Sequence, residues 1–143
     1  MTVGRIISEK GADVATVPPS ASLADVAAEL SKRKIGAIVV VDADGSIKGI
    51  VSERDLVRAV AKHGGHCLEM TASDWMTAEV VTCTPEETVN EVMQKMTAGR
   101  FRHLPVVVEG KLGGIVSIGD VVKRRIEDAE REAQQIREYI TTA

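Results

Sequence analysis

One pattern occurs twice in this chain, and that duplication limits the possible folds more than any other feature. The stretch VPPSASLADVAAELSKRKIGAIVVVD, from Val17, aligns without a gap on CTPEETVNEVMQKMTAGRFRHLPVVV, from Cys83, 66 residues later. Pro19 falls on Pro85, Ser22 on Thr88, Leu23 on Val89, Val26 on Val92, Leu30 on Met96 and Ile35 on Phe101. One residue is then lost from a loop, and GIVSERD (49–55) falls on GIVSIGD (114–120) at an offset of 65. Most matches preserve side-chain type rather than identity, as expected for an old duplication held by a shared packing constraint.

Each copy predicts the same order of elements. Ser22 with Asp25, and Thr88 with Glu91, have capping-box spacing, which marks a helix start. Apolar residues follow at Leu23, Val26, Ala27 and Leu30, and at Val89, Val92, Met93 and Met96. That i, i+3, i+4, i+7 recurrence is one face of an amphipathic helix. β-Branched runs at 37–41 and 104–108 lead through short turns (42–45 and 109–111) to second strands at 47–51 and 112–116. A second helix opens near Asp55 and Asp120, and short first strands are expected at 14–17 and 80–83. A single unit of about 60 residues buries only a marginal core. The expected fold is therefore α/β (α+β): two tandem β-α-β-β-α repeats packed about a pseudo-twofold axis, plus a C-terminal helix. The divisions are repeat 1 at 1–62, a linker at 63–71, repeat 2 at 72–124 and the C-terminal helix at 125–143, with 3–7 and 72–77 as lead-ins to the repeats.

Composition narrows the function. Hydrophobic residues at 44% and charged residues at 27% suit a folded chain, and aromatic residues at 2% require an aliphatic core. A formal net charge of −3 gives no electrostatic reason to expect nucleic acid or a membrane surface as partner. The two cysteines, Cys67 and Cys83, are far apart, so a reducing cytoplasm is expected rather than a disulfide framework. The N-terminus shows no signal-peptide pattern, and no apolar run approaches the roughly 18 residues of a membrane span.

The element that carries chemistry is the repeated GIVSxxD. Ser52 with Asp55, and Ser117 with Asp120, fit helix caps and need do nothing more. The same geometry also suits a nucleotide. A strand ending in Ser at a helix start presents free N–H groups to a phosphate, and a carboxylate one turn on accepts both hydroxyls of a ribose. Both readings stand on these residues, and the second gains from the duplication beside the expected interface of the repeats.

From about Val3 to about Val122 the chain resembles the CBS-domain family. The likeness rests on the paired glycine–apolar–apolar–Ser–x–x–Asp elements, on RHLPVV at 102–107 and on DWMT at 74–77. The resemblance implies clefts between the repeats that bind adenosine-containing ligands: AMP foremost, with ADP, ATP, NAD(H) or S-adenosylmethionine as other candidates. It also implies disc-like homodimers. Carried over by position, Asp55 and Asp120 hold ribose hydroxyls, while Ser52 and Ser117 position ribose or phosphate. Adenine lies against Thr82, Cys83, Arg102, His103, Leu104 and Pro105 in one site. In the other it lies against Thr16, Val17, Gly36, Ala37 and Ile38. Repeat 1 has Gly36 and Val39 where repeat 2 has Arg102 and Pro105, so the Asp120 site is expected to be the better occupied. Phosphate-neutralising candidates are Lys34, Arg54, Arg100, Arg102 and His103, each of which also reads as an ordinary solvated side chain.

Rival chemistry is thin. His63, His66 and Cys67 match no closed zinc pattern, and KHGGH is not a P-loop, so no metal and no catalysis are expected. Beyond Val122 a narrow apolar stripe runs through Ile126, Ala129, Ala133, Ile136 and Ile140, which suits a dimer contact or a fold-back on the module. Two functions remain. One is a stand-alone sensor of an adenine nucleotide acting on an effector protein in trans; the other is a ligand-free oligomerisation scaffold of the same fold.

Overall fold

A computed structural model describes residues 1–142; Ala143, the last residue of the expected C-terminal helix, lies outside the described residues. Repeat 1 contains β1 (Thr16–Val17), α2 (Leu23–Arg33), β2 (Ala37–Val41), β3 (Ile47–Ser52) and α3 (Glu53–His63), preceded by α1 (Val3–Lys10). Repeat 2 contains α5 (Val89–Gly99), β4 (His103–Val108), β5 (Lys111–Ser117) and α6 (Ile118–Thr142), preceded by α4 (Ala72–Trp75).

The duplication is visible bond by bond. Ser22 Oγ accepts from the Asp25 amide and Thr88 Oγ1 from the Glu91 amide, both at 3.1 Å. α2 and α5 each end on a cation in the left-handed conformation, Lys34 at φ 55° and Arg100 at φ 57°. β2–β3 and β4–β5 are antiparallel hairpins whose register slips at the matching places, Val40/Val41 and Val106/Val107. β1 runs parallel to β2, completing a three-stranded sheet. The strand expected at 80–83 is reduced to a single parallel bridge from Cys83 to Val106. There the Cys83 amide donates to Pro105 O at 3.0 Å, and the Val107 amide donates to Cys83 O at 2.8 Å.

The lead-ins cross over. Val3 and Ile6 of α1 are buried among Val89, Val92, Met96 and Leu104, the core of repeat 2. Ala72 and Met76 pack with Val17, Val26, Leu30 and Ile38, the core of repeat 1. The backbone confirms the exchange. The Val3 amide donates to Glu87 O and the Gly4 amide to Pro85 O, each at 2.9 Å. In the equivalent places, Ala72 donates to Ala21 O at 2.8 Å and Ser73 to Pro19 O at 3.0 Å. The approach at Gly4 is close, since a Cβ there would stand 3.2 Å from Pro85 O. Each repeat thus completes its partner's core, offsetting the marginal burial available to one alone.

The expected linker is a packed element. Gly64–Glu69 form a 3₁₀ helix, and Cys67 is 1% exposed in a cluster with Leu23 and Ala59. The expected second helix of repeat 2 and the C-terminal helix are one continuous α6, with no break at Arg124 or Arg125. Arg124 is buried and ties α6 to α1, donating to Glu9 at 3.1 Å while also pairing with Glu127 at 3.0 Å. Burial disfavours its charge, but those two carboxylates outweigh that penalty and raise its pKa.

Candidate functional site

Both GIVSxxD elements fold as helix caps at the exit of a strand. Asp55 Oδ2 accepts the Ser52 amide at 2.8 Å and its hydroxyl at 3.2 Å. Asp120 Oδ2 accepts the Ser117 amide at 2.9 Å, and the Asp120 amide donates back to Ser117 Oγ at 3.1 Å. The two elements also hang on equivalent backbone bonds, Glu53 N–H to Gly36 O at 3.0 Å and Ile118 N–H to Arg102 O at 2.8 Å.

Their surroundings differ. Beside Asp55 lies an open cleft of about 790 Å³ between the repeats. Repeat 1 contributes Gly36, Ala37, Ile50, the segment 52–55, Val57 and Arg58. Repeat 2 contributes the segment 99–103, and Thr77 reaches in from the chain after α4. Four arginines (Arg54, Arg58, Arg100 and Arg102) face two carboxylates (Glu53 and Asp55), so the cleft favours an anion. Arg58 Nη1 is paired with Asp55 Oδ1 at 3.1 Å, whereas Arg54, Arg100 and Arg102 make no ion pair among the described residues. Gly36 keeps the floor low, since a Cβ there would stand 3.4 Å from His103 Cε1. Burial, with help from the nearby Lys10 charge, pushes the His103 imidazole below its ordinary pKa, against the opposing pull of Asp120 and Glu53.

Asp120 faces a cavity of only about 110 Å³. Lys10 Nζ sits 2.7 Å from Asp120 Oδ2 and also donates to Ile115 O at 2.9 Å. Burial alone would raise the Asp120 pKa; the Lys10 ammonium and the Ser117 amide overcome it and hold the carboxyl below its ordinary range.

These positions redraw the expected sites. Gly36, Ala37, Ser52, Arg54, Asp55, Arg102 and His103 come together in one cleft, so Arg102 and His103 face Asp55 as well as their own repeat. Thr16, Val17, Ile38, Thr82, Cys83, Leu104 and Pro105 do not line it. Val17, Ile38, Cys83 and Leu104 are core side chains, at most 6% exposed. Pro105 is likewise buried, and burial pushes the Cys83 thiol up to about 11. Thr82 offers its carbonyl to Lys95 at 3.0 Å, and Thr16 is exposed. The Asp120 site is the one expected to be better occupied; the open cleft of about 790 Å³ borders Asp55. Sequence reasoning missed Thr77, Phe101 and Arg58; only Arg58, one helical turn after Asp55, carried a local signal.

His63 makes an edge contact with the Trp75 ring (5.8 Å, 83°), with Arg58 6.0 Å from the same ring. Among the described residues no group of three His, Cys, Asp or Glu side chains is placed to hold a metal. No helix among them is long and apolar enough to cross a membrane.

The CBS-domain family model matches residues 3–62 and again residues 72–127. The chain belongs to the CBS-domain family. This CBS pair is similar to the crystal structure of the CBS-domain containing protein ATU1752 from Agrobacterium tumefaciens, with 50% identity, a TM-score of 0.85, and coverage of 87% of this chain and 99% of that one. It is 36% identical over 120 residues to the mitochondrial CBS domain-containing protein CBSX3 of Arabidopsis thaliana; the match covers 81% of this chain but 58% of that relative's length. It also resembles the CBS domain protein PAE2072 of Pyrobaculum aerophilum, solved in complex with AMP, at 28% identity and a TM-score of 0.76, covering 84% and 89% of the two chains.

Proposed function

We propose that the CBS pair is a regulatory module that binds an adenine nucleotide, AMP first among them, in the Asp55 cleft, without catalysing a reaction. One observation carries this reading: a single cleft joins the Ser52–Asp55 cap of repeat 1 to the cationic segment 100–103 of repeat 2. Its volume lies in the range of small-molecule sites. In this reading the adenine packs on the Gly36 and Ala37 backbone, and Asp55 accepts the ribose hydroxyls once Arg58 releases Oδ1. The phosphate then meets Arg54, Arg100 and Arg102, which suit it by charge and by their forked donors. The AMP complex of the Pyrobaculum aerophilum relative supports the ligand class. Since the walls come from both repeats, an occupied cleft resists their relative movement. That is the change a partner protein in trans would read.

A second function, self-association, is favoured by a separate observation. Val57 and Val60 on α3 are 68% and 53% exposed, and α6 exposes Val122, Ile126, Ile136 and Ile140. We read these stripes as a homodimer contact compatible with ligand binding.

A thermal-shift titration with AMP, ADP, ATP, NAD(H) and S-adenosylmethionine tests the sensor reading. A ligand at a hundredfold above its Kd stabilises the fold by about 2.7 kcal/mol. If none of them raises Tm, the scaffold reading stands alone.

A further inference from the structure

The two lead-ins enter the molecule alike and leave it differently. Thr2 bridges Thr88 as Thr71 bridges Ser22, so α1 and α4 start in register. α4 stops after four residues, and the chain continues extended along the edge of β3. There the Thr77 amide donates to Ile50 O at 2.9 Å and Thr77 O accepts the Ile50 amide at 3.1 Å. α1 instead stays helical for eight residues, to Lys10. Ile115 is the repeat 2 counterpart of Ile50, and its carbonyl is taken by the Lys10 ammonium. The same ammonium lies on Asp120, the counterpart of the carboxylate assigned above to a ribose.

We infer that Lys10 is a latch on the Asp120 site: an internal cation that keeps the second nucleotide position shut until the last turn of α1 lets go. This rests on the nucleotide reading of the Asp55 cleft. Lys10 fills the acceptors a ligand would need there, Asp120 Oδ2 and Ile115 O, and the crevice of about 110 Å³ that Asp120 borders between α1 and α6 is below the few hundred Å³ of a nucleotide site, so occupation requires Lys10 to move. The movable wall is the end of α1. Lys10 and Asp120 side chains are 35% and 24% exposed, within reach of a competing ligand. Gly11 follows at φ 102° with open space around it, the backbone freedom a hinge uses. Release breaks the contacts of Lys10 with Asp120 and Ile115, beside the Glu9–Arg124 pair that also holds the end of α1. The freed segment has a destination in the edge of β5, the counterpart of the edge that Thr77 already occupies on β3.

Calorimetric titration of the intact chain with AMP tests the latch. Wild type should show a first, tighter site at Asp55 and a second, weaker one. Lys10→Met keeps helix propensity and length; it should tighten the second site about fivefold, the order of one partly exposed ion pair, and leave the first unchanged. Lys111→Met, which removes the same charge elsewhere, should change neither. In the Asp55→Ala background only the second site remains, and the Lys10→Met gain should persist there. A second site that is weakened or unmoved by Lys10→Met overturns the latch and leaves the Asp55 reading intact, as does AMP binding at Asp55 alone in wild type and variant alike. Absence of AMP binding in every variant overturns both.

Discussion

Asp55 and Asp120 occupy equivalent positions of a duplicated unit, and their caps are nearly the same: a backbone amide three residues earlier at 2.8 Å or 2.9 Å, at the end of an antiparallel hairpin. Yet one borders a cleft of about 790 Å³ between the repeats, and the other a crevice of about 110 Å³ between α1 and α6. Duplication copied the local device but not its access. The segment that crosses in from the other repeat differs between them: four helical residues before Thr77 at Asp55, eight at Asp120. The counter-ions differ for the same reason. Asp55 pairs with Arg58 of its own helix, whereas Asp120 pairs with Lys10, 110 residues away. A pair of near-identical caps can thus carry different counter-ions and different surroundings.

The largest expected effect lies in the crossed lead-ins. Ile6→Ala empties a 6% exposed position in the repeat 2 core and should cost about 3 kcal/mol in urea unfolding. Trp75→Ala, at the counterpart position and only partly buried, should cost less. Equal losses would mean that the lead-ins hold the two halves equally, and the comparison would fail. Next is binding. Asp55→Ala should weaken AMP about thirtyfold by calorimetry, the worth of charged hydrogen bonds to ribose, while Asp120→Ala leaves the tight site nearly unchanged. The reverse order would move the open site to the other repeat.

Lys34 and Arg100 sharpen the comparison at smaller scale. Both hold the left-handed conformation that glycine adopts freely, so Lys34→Gly and Arg100→Gly should each add up to about 1 kcal/mol of stability. Only Arg100 lines the cleft, so only Arg100→Gly should also lose AMP affinity. The smallest effect is acid dependence at the latch. The folded Asp120 carboxyl titrates below its ordinary value of 3.8, so its contribution is complete above that pH and is lost as pH falls through the folded pKa. Lys10→Met should remove this acid-labile share, under about 1 kcal/mol, from a stability profile between pH 5 and pH 2.

Much of this was legible in advance because it is local. The capping pairs Ser22–Asp25, Thr88–Glu91 and Ser117–Asp120 are bonds between residues three apart, and the hairpins follow from β-branched runs with turn residues between them. The adenine-contact set was read less well. Val17, Ile38, Cys83 and Leu104 sit at the right places along the repeat, but their side chains are packed into the cores of the two repeats. Thr77 was invisible as a site residue, because its approach to Ile50 depends on where a short helix stops.

The sequence by itself determined the duplication, the order of elements and the two SxxD caps, since each depends on contacts within a few residues or on a periodicity any neighbour would read. The tertiary structure alone decided which repeat completes which core, which cap borders the open cleft and which cation meets each aspartate. Those outcomes turn on contacts between residues tens to a hundred positions apart. Their geometry is set by how far α1 and α4 run before the chain turns, and a matching pattern of side chains does not encode that length.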